Sequence, residues 1–216
     1  MKKVRIWACD KDMRSPLRLP QNGDLRNCLI EAGIELINQE GEKHLSLRKV
    51  SAKCGVSQTA LYSHFQSKED LLSAIQDHVT EQFTAVMEEA MGSGQDQNDP
   101  RVLIEIGKRY VLFFIRNPHY HSFLFSQPGM QINLAWDGDS SDSFAPFELL
   151  KATVARIFGG AMPKERLQDT TISLWAVVHG LSAIATMKTV KYDKNWEDKI
   201  EDIIAVTNRT RMVRPE

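Results

Sequence analysis

Cysteine is scarce in this chain: Cys9, Cys28 and Cys54 are the only three in 216 residues. An odd number with wide, irregular spacing fits neither a disulfide framework nor a paired zinc motif, and it suits a reducing cytoplasm. Long apolar runs are missing as well. No stretch approaches the roughly 20 consecutive apolar residues that span a bilayer. The basic start Met1-Lys2-Lys3 leads into Ala8-Cys9-Asp10-Lys11-Asp12 rather than into the apolar run of a signal peptide. No membrane partner is expected, and the protein is expected to be soluble and cytoplasmic. Alternating apolar and polar residues, the mark of a half-buried strand, occur over no useful length. Four catalytic signatures are also missing: G-x-S-x-G, a phosphate-binding loop, H-E-x-x-H and paired Cys-x-x-Cys. That argues against an enzyme and leaves no catalytic residue, metal or cofactor to assign. Net charge is almost absent too, with 27 basic against 28 acidic side chains. Averaged over the whole chain, such a balance gives no general attraction to polyanions or lipid surfaces.

What is present is a composition for a packed core, 42% hydrophobic and 25% charged. The apolar residues recur with helical periodicity. Leu25, Leu29, Ala32, Leu36 and Ile37 mark one helical face that stops at Gly41. A short helix runs from Ser46 to Cys54-Gly55, and Ser57 is placed to cap a second one ending near Phe65. Ser67-Lys68-Glu69-Asp70 has the form of a capping box and opens a long helix through Leu71, Leu72, Ile75, Val79, Phe83 and Val86. Gly92 to Asn98 reads as a flexible linker, and 128–143 as a second loop. Further helices are expected from Asp99-Pro100, from Asn117-Pro118, around 146–158, from Pro163, and over Trp196 to Thr207. The expected fold is all-α with about nine helices. Its divisions are an irregular arm at 1–22, a small domain at 23–70 and a larger one at 71–216.

The small domain carries the pattern with chemical meaning. Two short helices around Cys54-Gly55-Val56 have the proportions of a helix-turn-helix, in which a tight turn lets the second helix cross the first steeply. Val50, Val56, Leu61 and Phe65 are spaced to pin the two together. Gln58, Thr59, Ser63 and His64 are left on the outer face, where they can meet base edges and phosphates. Residues 43–68 contain Lys43, Arg48, Lys49, Lys53 and Lys68 and no acidic residue, a local +5. Charge alone is as well explained by a solvated face. Joined to helix-turn-helix spacing, it points to a polyanion.

These residues give the segment 25–72 a resemblance to the DNA-binding domain of the tetracycline-repressor (TetR) family. The shared elements are Gly41, Leu47-Arg48-Lys49-Val50, Gly55-Val56-Ser57, Ala60-Leu61-Tyr62-Ser63-His64-Phe65 and Ser67-Lys68-Glu69-Asp70-Leu71-Leu72. Ser51 and Cys54 depart from the alanine the family mostly has there. The resemblance implies that Ser46 caps the first short helix and touches a phosphate, and that Arg48 reaches another. Gln58, Thr59 and Ala60 would face the major groove of double-stranded DNA, while Tyr62, His64 and Lys68 hold its backbone. For Tyr62 a partly buried core position stands as the alternative. Arg14 and Arg18 of the arm either enter the minor groove or sit in a disordered segment.

In the larger domain, Trp175-Ala176-Val177-Val178-His179-Gly180 resembles the W-x-x-x-H-G signature of one TetR subgroup. Trp175 and His179 are four apart and share a helical face. His179 then belongs either to a pocket or interface, or to a hydrogen-bonded core. Candidates for lining an effector pocket are Tyr110, Phe113, Phe114, Phe123, Met130, Phe147, Leu150, Trp175 and His179, with ordinary core packing the alternative for most. The family implies a homodimer through the last two helices, for which Leu174, Val178, Leu181, Trp196, Ile200 and Ile203 are the candidates. His119-Tyr120-His121 lacks further ligands at metal spacing and reads as a helix start. The function implied is a sequence-specific transcriptional regulator acting on the nucleoid. It would repress from a palindromic operator and be released by a small apolar or aromatic effector. The alternative is a constitutive DNA-binding adaptor whose larger domain docks a protein.

Overall fold

The computed structural model describes residues 24–92, 96–127, 129–136 and 143–212. The arm with Cys9, Arg14 and Arg18 lies outside the described residues, as do parts of both expected loops. Nine α-helices follow in order among the described residues: α1 Asp24–Glu40, α2 Leu47–Lys53, α3 Gln58–Tyr62, α4 Lys68–Met91, α5 Arg101–Arg116, α6 Pro118–Ser126, α7 Ala145–Phe158, α8 Lys164–Thr186 and α9 Trp196–Met212. A single turn of 3-10 helix at Glu42–His44 links α1 to α2, and one isolated bridge joins Gln131 to Ser143. The described chain is all-helical.

Serine hydroxyls set the starts of α2, α3 and α4. Ser46 accepts from the Lys49 N–H at 3.3 Å, Ser57 from Ala60 at 3.1 Å and Ser67 from Asp70 at 3.1 Å. Each such cap contributes about 1 kcal/mol. The capping box at α4 differs from the expected form. The Asp70 carboxylate accepts from the Gln66 N–H at 2.9 Å, one residue upstream of the cap itself. Gly55 ends α2 with φ +68, a left-handed conformation in which a side chain costs about 1–2 kcal/mol. The following Val56 N–H donates back to the Ser51 carbonyl, which closes the turn.

α3 is held down by Leu61 and Phe65, both without solvent exposure, against Val50 of α2, with half-buried Val56 on the same cluster. α4 then runs out of this small unit along Leu71, Ile75, Val79, Phe83 and Met87, all buried. It passes α1 so closely that a Cβ at Gly33 would run into Ile75 Cδ1. Phe83 sits at the centre, its ring 4.8 Å from Tyr110, 4.7 Å from Phe113 and 4.9 Å from Phe114. α5 packs against α4, α8 and α9, α7 against α4 and α8, and α6 against α1. One apolar cluster therefore extends from Leu29 to Ile204, with a smaller one around Leu103, Leu150, Val154 and Leu167.

Candidate functional site

Three chain segments offer polar side chains around the helix-turn-helix. Arg48 on α2 and Gln58, Thr59 and Tyr62 on α3 are exposed. Ser46, Ala60, His64 and Lys68 are half-buried. At 53% exposure, Tyr62 points to solvent rather than into the core. The Ser63 hydroxyl donates to the Ala60 carbonyl at 2.7 Å and is occupied within its own helix. Gln58 and Thr59 occupy the first two positions of α3. Arg26, which the sequence pattern did not single out, places its guanidinium 5.2 Å from the Phe65 ring.

The charge of this surface is smaller than the run 43–68 suggests. Lys49 pairs with Glu40 and Lys53 with Glu35, each at 2.6 Å. The Lys49 ammonium holds the Glu40 carboxyl below its usual range, first by a hydrogen bond and then by charge. Counting the two glutamates lowers the +5 of the run to +3. Among the described residues, Lys43, Arg48 and Lys68 make no ion pair. α1 supplies both carboxylates, and they lie just upstream of the basic run in the sequence.

A second site lies in the larger part of the molecule. Tyr110, Leu150 and Trp175 line a cavity together with Met87, Leu103, Ile106, Gly107, Pro146, Leu174, Val177, Val178 and Ile204. Its volume is about 20 Å3, which is room for one or two waters. Phe113, Phe114, Phe123 and Phe147 are buried in the main apolar cluster, and Met130 packs on it half-buried. None of these five, nor His179, lines the cavity.

At one edge of the cavity is a buried polar group. The Tyr110 hydroxyl and His179 Nδ1 are 3.2 Å apart. The His179 ring lies 4.6 Å from His121, 4.5 Å from Phe125 and 5.0 Å from Trp175, centroid to centroid. Trp175 Nε1 and His121 Nε2 are buried in the same group. Burial, reinforced by His121 alongside, pushes the His179 imidazole down to about 4, and burial lowers His121 as well. Both rings are therefore neutral near pH 7. Burial raises the Tyr110 phenol. No local pattern marks His121 and Phe125, because they meet His179 from α6 while His179 lies on α8, far away in sequence. His119 goes elsewhere, beside Gly41, so the two histidines of His119-Tyr120-His121 do not converge.

The stripes on α8 and α9 are largely taken up within the chain. Val178, Leu181 and Ile200 are at most 8% exposed, and Leu174, Trp196 and Ile203 are half-buried against the clusters. The physical reason is α5, which packs on both helices and covers their inward faces. The large apolar side chains that remain exposed at this end are Ile184, Met187, Val190, Tyr192 and Val206, the last at 64%. No helix among the described residues is long and apolar enough to cross a membrane. No group of three His, Cys, Asp or Glu among them is arranged to hold a metal.

Comparison with known proteins bears on the two parts differently. Residues 29–75 match the model of the bacterial regulatory proteins of the tetR family. The tetracycline repressor protein class G of Vibrio anguillarum is 44% identical over 50 residues, covering 23% of this chain and 24% of the repressor. The chain thus spans about a quarter of the length of the tetracycline repressors it matches. An uncharacterised helix-turn-helix-type transcriptional regulator of Mycobacterium tuberculosis is 21% identical over 214 residues, with 96% of this chain and 90% of that protein covered. In three dimensions the fold resembles the regulator FadR of Bacillus subtilis, solved in complex with stearoyl-CoA. The TM-score is 0.64, with 14% identity over 84% of this chain and 96% of that one. Residues 29–75 thus match the tetR-family helix-turn-helix model, and the described residues that follow them are helical.

Proposed function

We propose that this chain is a sequence-specific DNA-binding transcriptional regulator working in the cytoplasm on the nucleoid, with residues 23–70 as its reading head. The observation that carries this is the outward face of α3, where Gln58, Thr59 and Tyr62 stand exposed on a helix fixed from behind by Leu61 and Phe65. Gln58, with Thr59 and Ala60, reads base edges in the major groove. Ser46, Arg48, Tyr62, His64 and Lys68 grip phosphates. The Ser46 oxygen accepts from the helix and keeps its own proton free to donate to a phosphate.

Residues 71–216 form the effector-binding and dimerisation domain in this proposal, and the protein acts as a repressor released by a small apolar or aromatic molecule. Support comes from α4. Its first residue, Lys68, belongs to the head, and Met87, near its other end, lines the cavity. A cavity with room for one or two waters admits an organic ligand only by displacing its walls, and α4 is one of them. Movement of Met87 is transmitted along a helix of about 36 Å to the head. Trp175, of the pair behind the W-x-x-x-H-G resemblance, lines the cavity, and its neighbour His179 meets the Tyr110 hydroxyl beside it. Dimerisation uses the exposed apolar residues Ile184, Met187, Val190, Tyr192 and Val206, and a twofold dimer reads a palindrome with half-sites one helical turn apart.

A second proposal rests on the same exposed residues, which equally suit a docked protein on a constitutive DNA-binding adaptor. In vitro selection of bound duplexes, repeated with a metabolite mixture, separates the two. The repressor yields a palindrome whose recovery falls with the mixture. The adaptor yields a site indifferent to it.

A further inference from the structure

Two thiols face each other inside the head. Cys28 lies on α1, and Cys54 caps the end of α2 immediately before Gly55. Their sulfurs are 3.1 Å apart, and the Cys54 thiol also donates to the Cys28 carbonyl oxygen at 3.2 Å. A disulfide holds its sulfurs at about 2.05 Å, so a shift of roughly 1 Å separates contact from bond. The two residues differ in access. Cys28 is half-buried, whereas Cys54 is 4% exposed.

We propose that Cys28 and Cys54 form a site of reversible oxidation, converted to a disulfide within the head by a two-electron oxidant of the hydroperoxide class. The Cys28 thiolate attacks the outer peroxide oxygen and the O–O bond breaks. The leaving oxygen takes up a proton as an alcohol, or as water from hydrogen peroxide, and Cys28 becomes a sulfenic acid. The Cys54 sulfur then attacks the Cys28 sulfur, the S–O bond breaks, and the proton of Cys54 departs with the hydroxide as water. In sum, two thiols and one hydroperoxide give one disulfide, one alcohol and one water. A dithiol reductant reverses it by exchange. Burial and the neighbouring Cys28 push the Cys54 thiol up to about 12, which keeps it protonated and assigns the first attack to Cys28.

The bond acts on the turn that aims α3. Cys54 adjoins left-handed Gly55, and α3 starts at Gln58, three residues further on. Drawing Cys54 toward α1 displaces α3 relative to Arg48 on α2 and Lys68 on α4, so contacts distributed over three helices lose their common register with the duplex. This consequence rests on the proposed DNA reading, whereas the disulfide itself does not.

The test uses the full chain carrying Cys9→Ser, which removes the remaining thiol. The reduced protein is treated with hydrogen peroxide, its mass and disulfide map are recorded, and its affinity for a selected duplex is measured before and after dithiothreitol. The expected result is a loss of about 2 Da, a peptide joining Cys28 to Cys54, and at least tenfold weaker DNA binding restored by the reductant. Cys28→Ser and Cys54→Ala versions should show neither the bridge nor the reversible change. Sulfinic or sulfonic acid on Cys28 without a bridge, or bridges only between chains, overturns the pairing. A bridge that leaves affinity unchanged overturns its effect on α3. If the reduced protein selects no duplex, the DNA reading fails, and the mass map still decides the pairing.

Discussion

Residues 24–75 and residues 101–206 are both built from helices that bury an apolar face, yet different things hold those helices in place. In the head, α2 has seven residues and α3 five, lengths at which a helix in water is unstable by itself. They exist because particular residues end and cap them: Ser46 and Ser57 at the starts, Gly41 and Gly55 at the turns. In the body, α6, α7 and α8 open without any side-chain cap bond, and packing supplies what caps do not. A cap needs one of a few residue types, while a packed stripe needs only apolar residues of suitable volume. Short helices depend on specific residues and so leave a motif; long ones depend on periodicity and leave little else.

Mutations can break this contrast, beginning with the largest effect. Phe83→Ala removes a fully buried ring that touches Tyr110, Phe113 and Phe114, and should cost about 3–5 kcal/mol in a denaturant titration. A loss under about 1 kcal/mol would mean that the body is not held by packing around α4.

Next comes a pH effect confined to the body. Burial depresses the His179 imidazole from its usual range to about 4, so the fold favours the neutral ring. The resulting stability is complete above pH 6.5 and is lost as the pH falls from there toward 4. The loss amounts to at most about 3 kcal/mol, less whatever water around the half-buried ring screens. His179→Gln removes this titration, so its unfolding midpoint should fall less steeply than that of the parent between pH 6.5 and 4.5. Parallel curves would contradict the neutral imidazole.

Within the head, Gln58→Ala should relax base choice at one position by about 1–3 kcal/mol of discrimination, measured by competition among single-base variants. Lys68→Ala should instead weaken all duplexes alike and reduce the salt slope by about one. Equal losses on every sequence for Gln58→Ala would remove it from base reading. Ser57→Ala costs about 1 kcal/mol of stability through its lost cap, and should lower DNA affinity further by fraying α3. Lys53→Ala breaks only a surface pair with Glu35, so unfolding should shift by less than about 1 kcal/mol.

The legible and illegible parts divide along the same line. The starts of α2, α3 and α4, the glycine turn and the outward polar positions of α3 follow from residues within four or five places of one another, and local chemistry determines them. The stripes on α8 and α9 were legible as apolar, but not that α5 would cover Val178, Leu181 and Ile200 and leave Ile184, Met187 and Val206 outside. The meeting of His121 with His179, of Cys28 with Cys54, and of Gly33 with Ile75 depends on how helices cross, which periodicity does not encode. The basic run overstated its charge for a similar reason, because Glu35 and Glu40 reach it from another helix.

The central claim is that α3 reads sequence, and its most direct test is a pair of titrations across salt concentration. One uses a duplex recovered by selection, the other a scrambled duplex of equal length and composition. The account predicts affinities that both fall with salt, and a ratio between them of about 10³ or more near physiological ionic strength. A ratio near one at every salt concentration would contradict it, leaving a basic surface that attracts DNA without reading it.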